Sequence, residues 1–201
     1  MMYRDISGVI SAGGSGKRLN GIAKANIEFG GKTIISRIID VIAPLFREII
    51  IVTNTPQEFI YLSDHKIVGD RYEQAGPLGG IHAALCASQA GACFVIAGDM
   101  PLIDRDIVEK QCEHYLNTHC DILIPSINNF IEPLHSVYNI SILPVLEQYL
   151  DAGNNYAVRE FIRQNRVEYI SFDGSEKSLN AFSNINTPED IVRISIKLGL
   201  K

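Results

Sequence analysis

Four consecutive β-branched residues, Ile49 to Val52, restrict what this chain can become. A strand that is apolar at every position sends side chains to both faces of its sheet, so both faces must be covered. Such a strand belongs in a parallel sheet flanked by helices rather than in a half-exposed antiparallel one. Residues 93–97 repeat the pattern, and residues 6–10 approach it through Ile6, Val9 and Ile10. Between these runs lie segments of helical period. Over 33–46, Ile34, Ile35, Ile38, Ile39 and Ile42 share one face, and further helices are predicted over 80–90 and 105–116, the latter behind Asp104 as N-cap. Residues 67–69 read as a brief strand.

The second half is less regular. Strands are predicted over 121–125 and 134–138, around a polar turn at 126–129, with helices over 142–150 and 156–165 and a strand over 167–172. Thr187-Pro188-Glu189-Asp190 is a helix start, with an N-cap, a proline at the first position and acids in the first turn. Strand–helix alternation followed by mixed pairing predicts an α/β three-layer sandwich with a mostly parallel, mixed central sheet. No repeat or linker interrupts the 201 residues, so one domain over 1–201 is expected.

Charge narrows the partners. The net charge of −5 excludes a surface that coats nucleic acid, and the notable basic cluster is local: Lys17, Arg18, Lys24 and Lys32. No apolar run reaches membrane-spanning length and the first residues lack a signal-peptide core, so a cytoplasmic protein without membrane contact is expected. None of the four cysteines forms a C-x-x-C pair. Cys112, His114, His119 and Cys120 are metal-ligand types, but their spacing matches no common zinc pattern, and no metal is assigned to them.

The chemistry is carried by loops after the strands. Ser11-Ala12-Gly13-Gly14-Ser15-Gly16-Lys17-Arg18-Leu19 follows the first apolar run directly. Glycines there let backbone N–H groups close on a phosphate, and Arg18 and Lys24 neutralise what those amides hold. This points to a polyphosphate site. Two familiar phosphate loops do not fit: Leu19 stands where a dinucleotide fingerprint needs its third glycine, and Asn26 stands where a Walker loop ending in Gly31-Lys32-Thr33 needs its first. Gly30-Gly31-Lys32 instead reads as a turn after a short strand over 26–29. In such sheets ligands sit beyond the carboxyl ends of the strands. Two more segments fall there. Asn54, within Thr53-Asn54-Thr55, offers an amide to a base or ribose. Asp99, within Gly98-Asp99-Met100-Pro101, offers a carboxylate suited to Mg²⁺ on a triphosphate. Asp70 through Gly80 adds a second glycine loop opening a helix, read as a lid over the base, with Asp70 as a metal-side or ribose-side carboxylate.

In their order along the chain, Ala12-Gly13-Gly14, Lys17-Arg18-Leu19, Lys24, Gly76-Pro77-Leu78-Gly79-Gly80, Gly98-Asp99-Met100-Pro101 and Asn184-Ile185-Asn186-Thr187-Pro188-Glu189-Asp190 resemble the molybdenum cofactor guanylyltransferases. These belong to the wider nucleotidyltransferases of Rossmann-like fold. The likeness runs from about residue 8 to residue 198. Its early motifs are shared across the superfamily, while the late asparagine motif and Glu132-Pro133-Leu134-His135-Ser136-Val137-Tyr138 point to the narrower group. The resemblance implies transfer of GMP from Mg²⁺-bound GTP to the terminal phosphate of molybdopterin, with release of pyrophosphate. By position it implies that Ser11, Ala12, Gly13, Gly14, Lys24, Asn54, Asp70, Pro77, Leu78, Gly79 and Asp99 bind the nucleotide. Asp99 would hold Mg²⁺, Arg18 would face the departing pyrophosphate, and Arg18, Lys24 and Asp99 would form the catalytic set. Asn184 and Asn186 would line the acceptor end. GTP and molybdopterin are the implied partners, with transient contact to molybdoenzymes or other cofactor-synthesis proteins.

Three positions depart from the family pattern: Ser11 replaces a usual Leu, Ala23 a common Asp, and Asn154-Asn155-Tyr156 the paired arginines of some members. Two other readings remain open. One is a nucleotidylyltransferase using CTP or another phosphate acceptor such as a sugar 1-phosphate. The other is a non-catalytic nucleotide-binding partner of molybdoenzymes.

Overall fold

The computed structural model describes residues 3–13, 18–19, 22–72, 74–153 and 156–200, with backbone alone for 18, 19 and 22. The chain opens with β1 (Ile6–Ser11), two small hairpins, β2 (Arg18–Leu19) with β3 (Ile22–Ala23) and β4 (Glu28–Phe29) with β5 (Lys32–Thr33), and then α1 (Ile34–Ile42). Next come β6 (Ile49–Val52), β7 (Lys66–Val68), α2 (Pro77–Ala87), β8 (Ala92–Ala97) and α3 (Arg105–Leu116). The second half adds β9 (Ile122–Ile127), β10 (Phe130–Ile131), β11 (His135–Asn139), α4 (Leu143–Asp151), α5 (Val158–Ile162), β12 (Val167–Phe172), α6 (Glu176–Ala181) and α7 (Pro188–Lys197).

The central sheet runs β10-β9-β11-β8-β1-β6-β7, and β12 also pairs with β9. Strands β7, β6, β1 and β8 are mutually parallel; β11 enters antiparallel to both β8 and β9, and β12 lies parallel to β9. The expected mixed, mostly parallel sheet is therefore present. Its register matters for function. Ser11 pairs with Val52 on one side and Ala97 on the other, and Val52 with Val68, so four carboxyl ends form one shelf.

The apolar strands bury both faces, as their sequence requires. Ile10 and Phe94 pack with Ile34, Ile38, Ile107 and Ile194 in one layer of core. Their neighbours Val9 and Val95 point the other way, toward Leu78, Ile81, Leu146 and Phe161. Each fully buried side chain of this size contributes roughly 1.5–3 kcal/mol, so the sandwich rests on both layers. No helix among the described residues is long and apolar enough to cross a membrane.

The boundaries differ from expectation where backbone chemistry overrides periodicity. Helix α1 stops at Ile42 because Pro44 has no N–H to donate to Asp40, and the chain leaves through a tight turn in which the Leu45 N–H donates to Ile42 O at 2.9 Å. Helix α2 begins at Pro77, not at residue 80: Gly76, at φ 58°, turns the chain so that Pro77 occupies the first helical position. Residues 77–80 are thus a helical turn, and the glycine loop that opens the helix ends at Gly76. Strand β9 extends to Ile127, and the expected turn narrows to Asn128 and Asn129 at φ 48° and 67°. Helix α6 was missed because its six residues carry no period to read. Asp104 caps α3 as expected, accepting from the Ile107 N–H at 3.2 Å.

Candidate active site

The shelf at the ends of β1, β6 and β8 is closed by backbone contacts that exclude side chains. The Ala12 N–H donates to Val52 O at 2.8 Å and the Gly98 N–H to Ser11 O at 2.9 Å. A Cβ on Gly98 would meet Ser11 O at 3.1 Å, and one on Gly13 would stand 3.3 Å from Thr53 Cα. Larger residues would force the strand ends apart and spoil the surface on which a phosphate chain can lie.

On the β6–β7 flank, Asn54 and Asp70 hold each other. The Asn54 side-chain amide donates to Asp70 Oδ2 at 3.3 Å, and the Asp70 N–H donates to Asn54 Oδ1 at 2.8 Å. Both are exposed. Around the corner, the position a side chain would take on Gly80 lies 3.5 Å from Ser11 Oγ and 3.8 Å from Asp70 Oδ1, so the first turn of α2 joins Ser11 and Asp70. The N–H groups of that turn have no partner within the helix and give this flank a positive end. Leu78 is fully buried in the core, which confines any role in ligand binding to its backbone.

On the β8 flank the arrangement is charged and deep. Lys24 and Asp99 are 7% and 6% exposed, and Lys24 Nζ lies 3.4 Å from Asp99 Oδ2. Lys24 Nζ also donates to Asn186 Oδ1 at 2.8 Å. The third partner comes from 162 residues away in sequence, and its own position is fixed by a helix cap. Thr187 caps α7 in a capping box with Asp190, whose Oδ2 accepts from the N–H groups of Asn186 at 2.8 Å and Thr187 at 3.0 Å. Those backbone donors hold the Asp190 carboxyl below the usual carboxylate range, the Asn186 N–H contributing most. Strand and helix are also tied through backbone, since the Ile185 N–H donates to Asp99 O at 3.0 Å. Asn184 Oδ1 is buried without a partner among the described residues.

The sequence-predicted residues therefore fall in two groups on one shelf: Ser11, Asn54, Asp70 and the Pro77–Gly79 turn on one side, Lys24, Asp99 and Asn186 on the other. Asn184 approaches the second group through its neighbour. Gly14, Asn154 and Asn155 lie outside the described residues, as does the Arg18 side chain; the Arg18 backbone pairs with Ala23 in the β2–β3 hairpin. Lys32, the false Walker lysine, is directed away, in an exposed ion pair with Asp40 at 2.6 Å. Sequence reasoning missed the grip of Asp190 on Asn186, although the capping-box spacing announced that an acid at N3 reaches back to backbone N–H groups.

Residues 8–168 match the model of a MobA-like NTP transferase domain. A Natranaerobius thermophilus protein named "Probable molybdenum cofactor guanylyltransferase" is 31% identical over 98% of both chains. The molybdenum cofactor guanylyltransferase of Vibrio campbellii is 30% identical over 93% of both. Among solved structures, molybdopterin-guanine dinucleotide biosynthesis protein A from Archaeoglobus fulgidus superimposes with a TM-score of 0.80 at 27% identity, covering 96% of this chain and 98% of its own. With the family model spanning most of the chain and relatives of this identity spanning nearly all of it, this protein belongs to the MobA-like NTP transferase family.

Proposed function

We propose that this nucleotidyltransferase transfers GMP from GTP to the terminal phosphate of molybdopterin, in molybdenum cofactor biosynthesis. A phosphate oxygen of the acceptor attacks the α-phosphorus of GTP; the new P–O bond forms as the bond to the β-phosphate bridging oxygen breaks, and pyrophosphate leaves. The attacking group is already anionic, so no strong general base is required. Placement of the two phosphates and neutralisation of their charge supply the rate.

The observation that carries the reading is the Lys24–Asp99–Asn186 group beside the glycine-lined shelf. An ammonium has three donors. Asn186 and Asp99 take two of them, and the third, without a partner among the described residues, is left for a phosphate oxygen. Lys24 is thereby held rigid and dry, where a charge acts more strongly than in water. Ser11 through Gly13 offer backbone to the nucleotide, and Asn54 with Asp70 bounds the donor side.

MobA-like NTP transferases work with a divalent metal, and Mg²⁺ is our assignment. A carboxylate at a strand end is the hard-oxygen ligand that Mg²⁺ shares with phosphate oxygens and water, and Asp99 supplies one. Bound by Asp99, Mg²⁺ supplies neutralisation of the triphosphate. Arg18 is assigned to the pyrophosphate side and Asn184 with Asn186 to the acceptor.

Incubation with GTP, Mg²⁺ and molybdopterin should release pyrophosphate in step with formation of the guanine dinucleotide. CTP in place of GTP should give little product. Equal turnover with CTP would overturn the guanine assignment. GTP binding without transfer to molybdopterin would overturn the catalytic one.

A further inference from the structure

We infer that His82, Cys86 and Glu147 form a binding site for Zn²⁺ that ties α2 to α4. Among the described residues these three bring their ligand atoms within 4.8 Å of one another. His82 and Cys86 are four apart on α2 and so share a face of that helix, while Glu147 projects from α4. His82 Nε2 lies 3.2 Å from Glu147 Oε1 and 3.4 Å from Cys86 Sγ. In a tetrahedral zinc site with bonds of about 2.0–2.3 Å, neighbouring ligand atoms stand roughly 3.3–3.8 Å apart. The imidazole is the fixed member: it is 1% exposed and meets the Tyr72 ring edge-on at 4.9 Å, and Tyr72 is itself held by a hydrogen bond to Asp151 at 2.8 Å. Cys86 is exposed and the Glu147 side chain partly so, which lets both adjust to an ion and leaves a fourth position for water.

A nucleophilic thiol is the competing use of these residues, and the geometry disfavours it. A Cys–His–carboxylate relay places thiol and carboxylate on opposite ring nitrogens. Here both gather at Nε2, with Cys86 Sγ 3.4 Å from Nε2 and 4.0 Å from Nδ1. A plain His82–Glu147 ion pair would leave the thiol unexplained. Zinc suits the mixed sulfur, nitrogen and oxygen donors, whereas Mg²⁺ requires oxygen alone. On binding, the Cys86 thiol gives its proton to solvent and a Zn–S bond forms. The dication then meets one thiolate and one carboxylate, so the cluster beside the buried imidazole is neutral.

The test uses the whole chain, stripped of metal by a chelator and free of nucleotide, titrated with Zn²⁺ against a chromophoric competitor. The expected result is one Zn²⁺ per chain with a Kd of about 1 μM or tighter. Co²⁺ should produce a thiolate charge-transfer band in the near ultraviolet. Cys86→Ser, at an exposed position, should abolish that band and weaken Zn²⁺ binding by at least about tenfold, with Glu147→Gln also weakening it, while the melting temperature of the metal-free protein stays near wild type. Cys120→Ser and Asp99→Asn should leave zinc affinity unchanged. Absence of saturable zinc binding, or binding that survives Cys86→Ser, overturns the site. Binding lost instead in Cys120→Ser or Asp99→Asn places the ion elsewhere and overturns it equally.

Discussion

The two flanks of the shelf solve the same problem with opposite materials. The Asn54–Asp70 couple is exposed, neutral against anionic, and closed by two local hydrogen bonds between the ends of neighbouring parallel strands. The Lys24–Asp99–Asn186 group is nearly dry, carries two full charges, and joins segments from the beginning, middle and end of the chain. Desolvating an ion pair costs about as much as its attraction returns, so the buried flank is weak support for the fold. On the proposed reading, a costly dry ion pair on the β8 side is there for reaction chemistry, and the β6–β7 side is an adaptable border for the nucleotide.

The contrast breaks first, if at all, at Asp99. Asp99→Asn is expected to lower turnover on the order of hundreds-fold and to cost about 3 kcal/mol of stability, because Lys24 is left as a buried charge without its counterion. Adding Lys24→Met to that variant should return most of the stability and none of the turnover. Denaturant unfolding and a pyrophosphate-release assay read both halves. If the double variant is less stable than the single one, the buried pair supports the fold and the contrast collapses.

A smaller effect is expected at Asn186. Its amide oxygen accepts from a charged donor, a bond worth roughly 1.5–3 kcal/mol, so Asn186→Ala should reduce turnover about tenfold or more through loss of aim in Lys24. Loss of that part-buried bond should also lower the melting temperature by a few degrees. A large drop in melting temperature with normal specific activity would reduce Asn186 to a turn residue.

The cap beneath Asn186 adds a pH signature. The Asp190 carboxyl is held below its ordinary value of 3.8 in the folded protein. A depressed acid adds stability that is complete above the unfolded value and lost as pH falls through the folded one. Wild type should therefore lose cap stability below about pH 4, and Asp190→Asn should make that acid limb of a pH–stability curve shallower while Asp106, Asp121, Asp173 and Glu189, also lowered, keep the rest of it. An unchanged acid limb would detach Asp190 from the cap.

At the exposed border effects should be modest. Asn54→Ala should weaken GTP binding a few-fold by removing two local bonds, each of about 1 kcal/mol, and leave turnover at saturating GTP nearly intact. Lys32→Ala should do least, since its exposed pair with Asp40 is worth about 0–1 kcal/mol and faces away from the shelf. Greater damage at Lys32 than at Asn54, in GTP titrations of both variants, would move the phosphates to the Lys32 loop and overturn the placement on the shelf.

Much of this was legible along the chain. Runs such as Ile49 to Val52 dictate a strand covered on both faces, because a strand alternates its side chains and water tolerates neither set. Glycines at 13 and 98 and the acid at 99 mark the shelf at the strand ends, because local chemistry sets where the strands stop and how closely their ends approach. The capping box at Thr187 and Asp190 was equally local. Helix ends were less legible, as at Ile42 and Pro77, where a proline or a positive-φ glycine decides within one residue what a periodic pattern spreads over four.

What the sequence could not contain was adjacency. Lys24 meets Asn186, and His82 meets Glu147, only because a particular strand order and helix packing carry them together across 162 and 65 residues. Composition and spacing determined which elements form and which strand ends carry glycines and charge, since those follow from nearest neighbours along the backbone. Which charged groups share a dry corner was decided by the sheet's topology, because side-chain contacts at that range depend on the register of every strand between them.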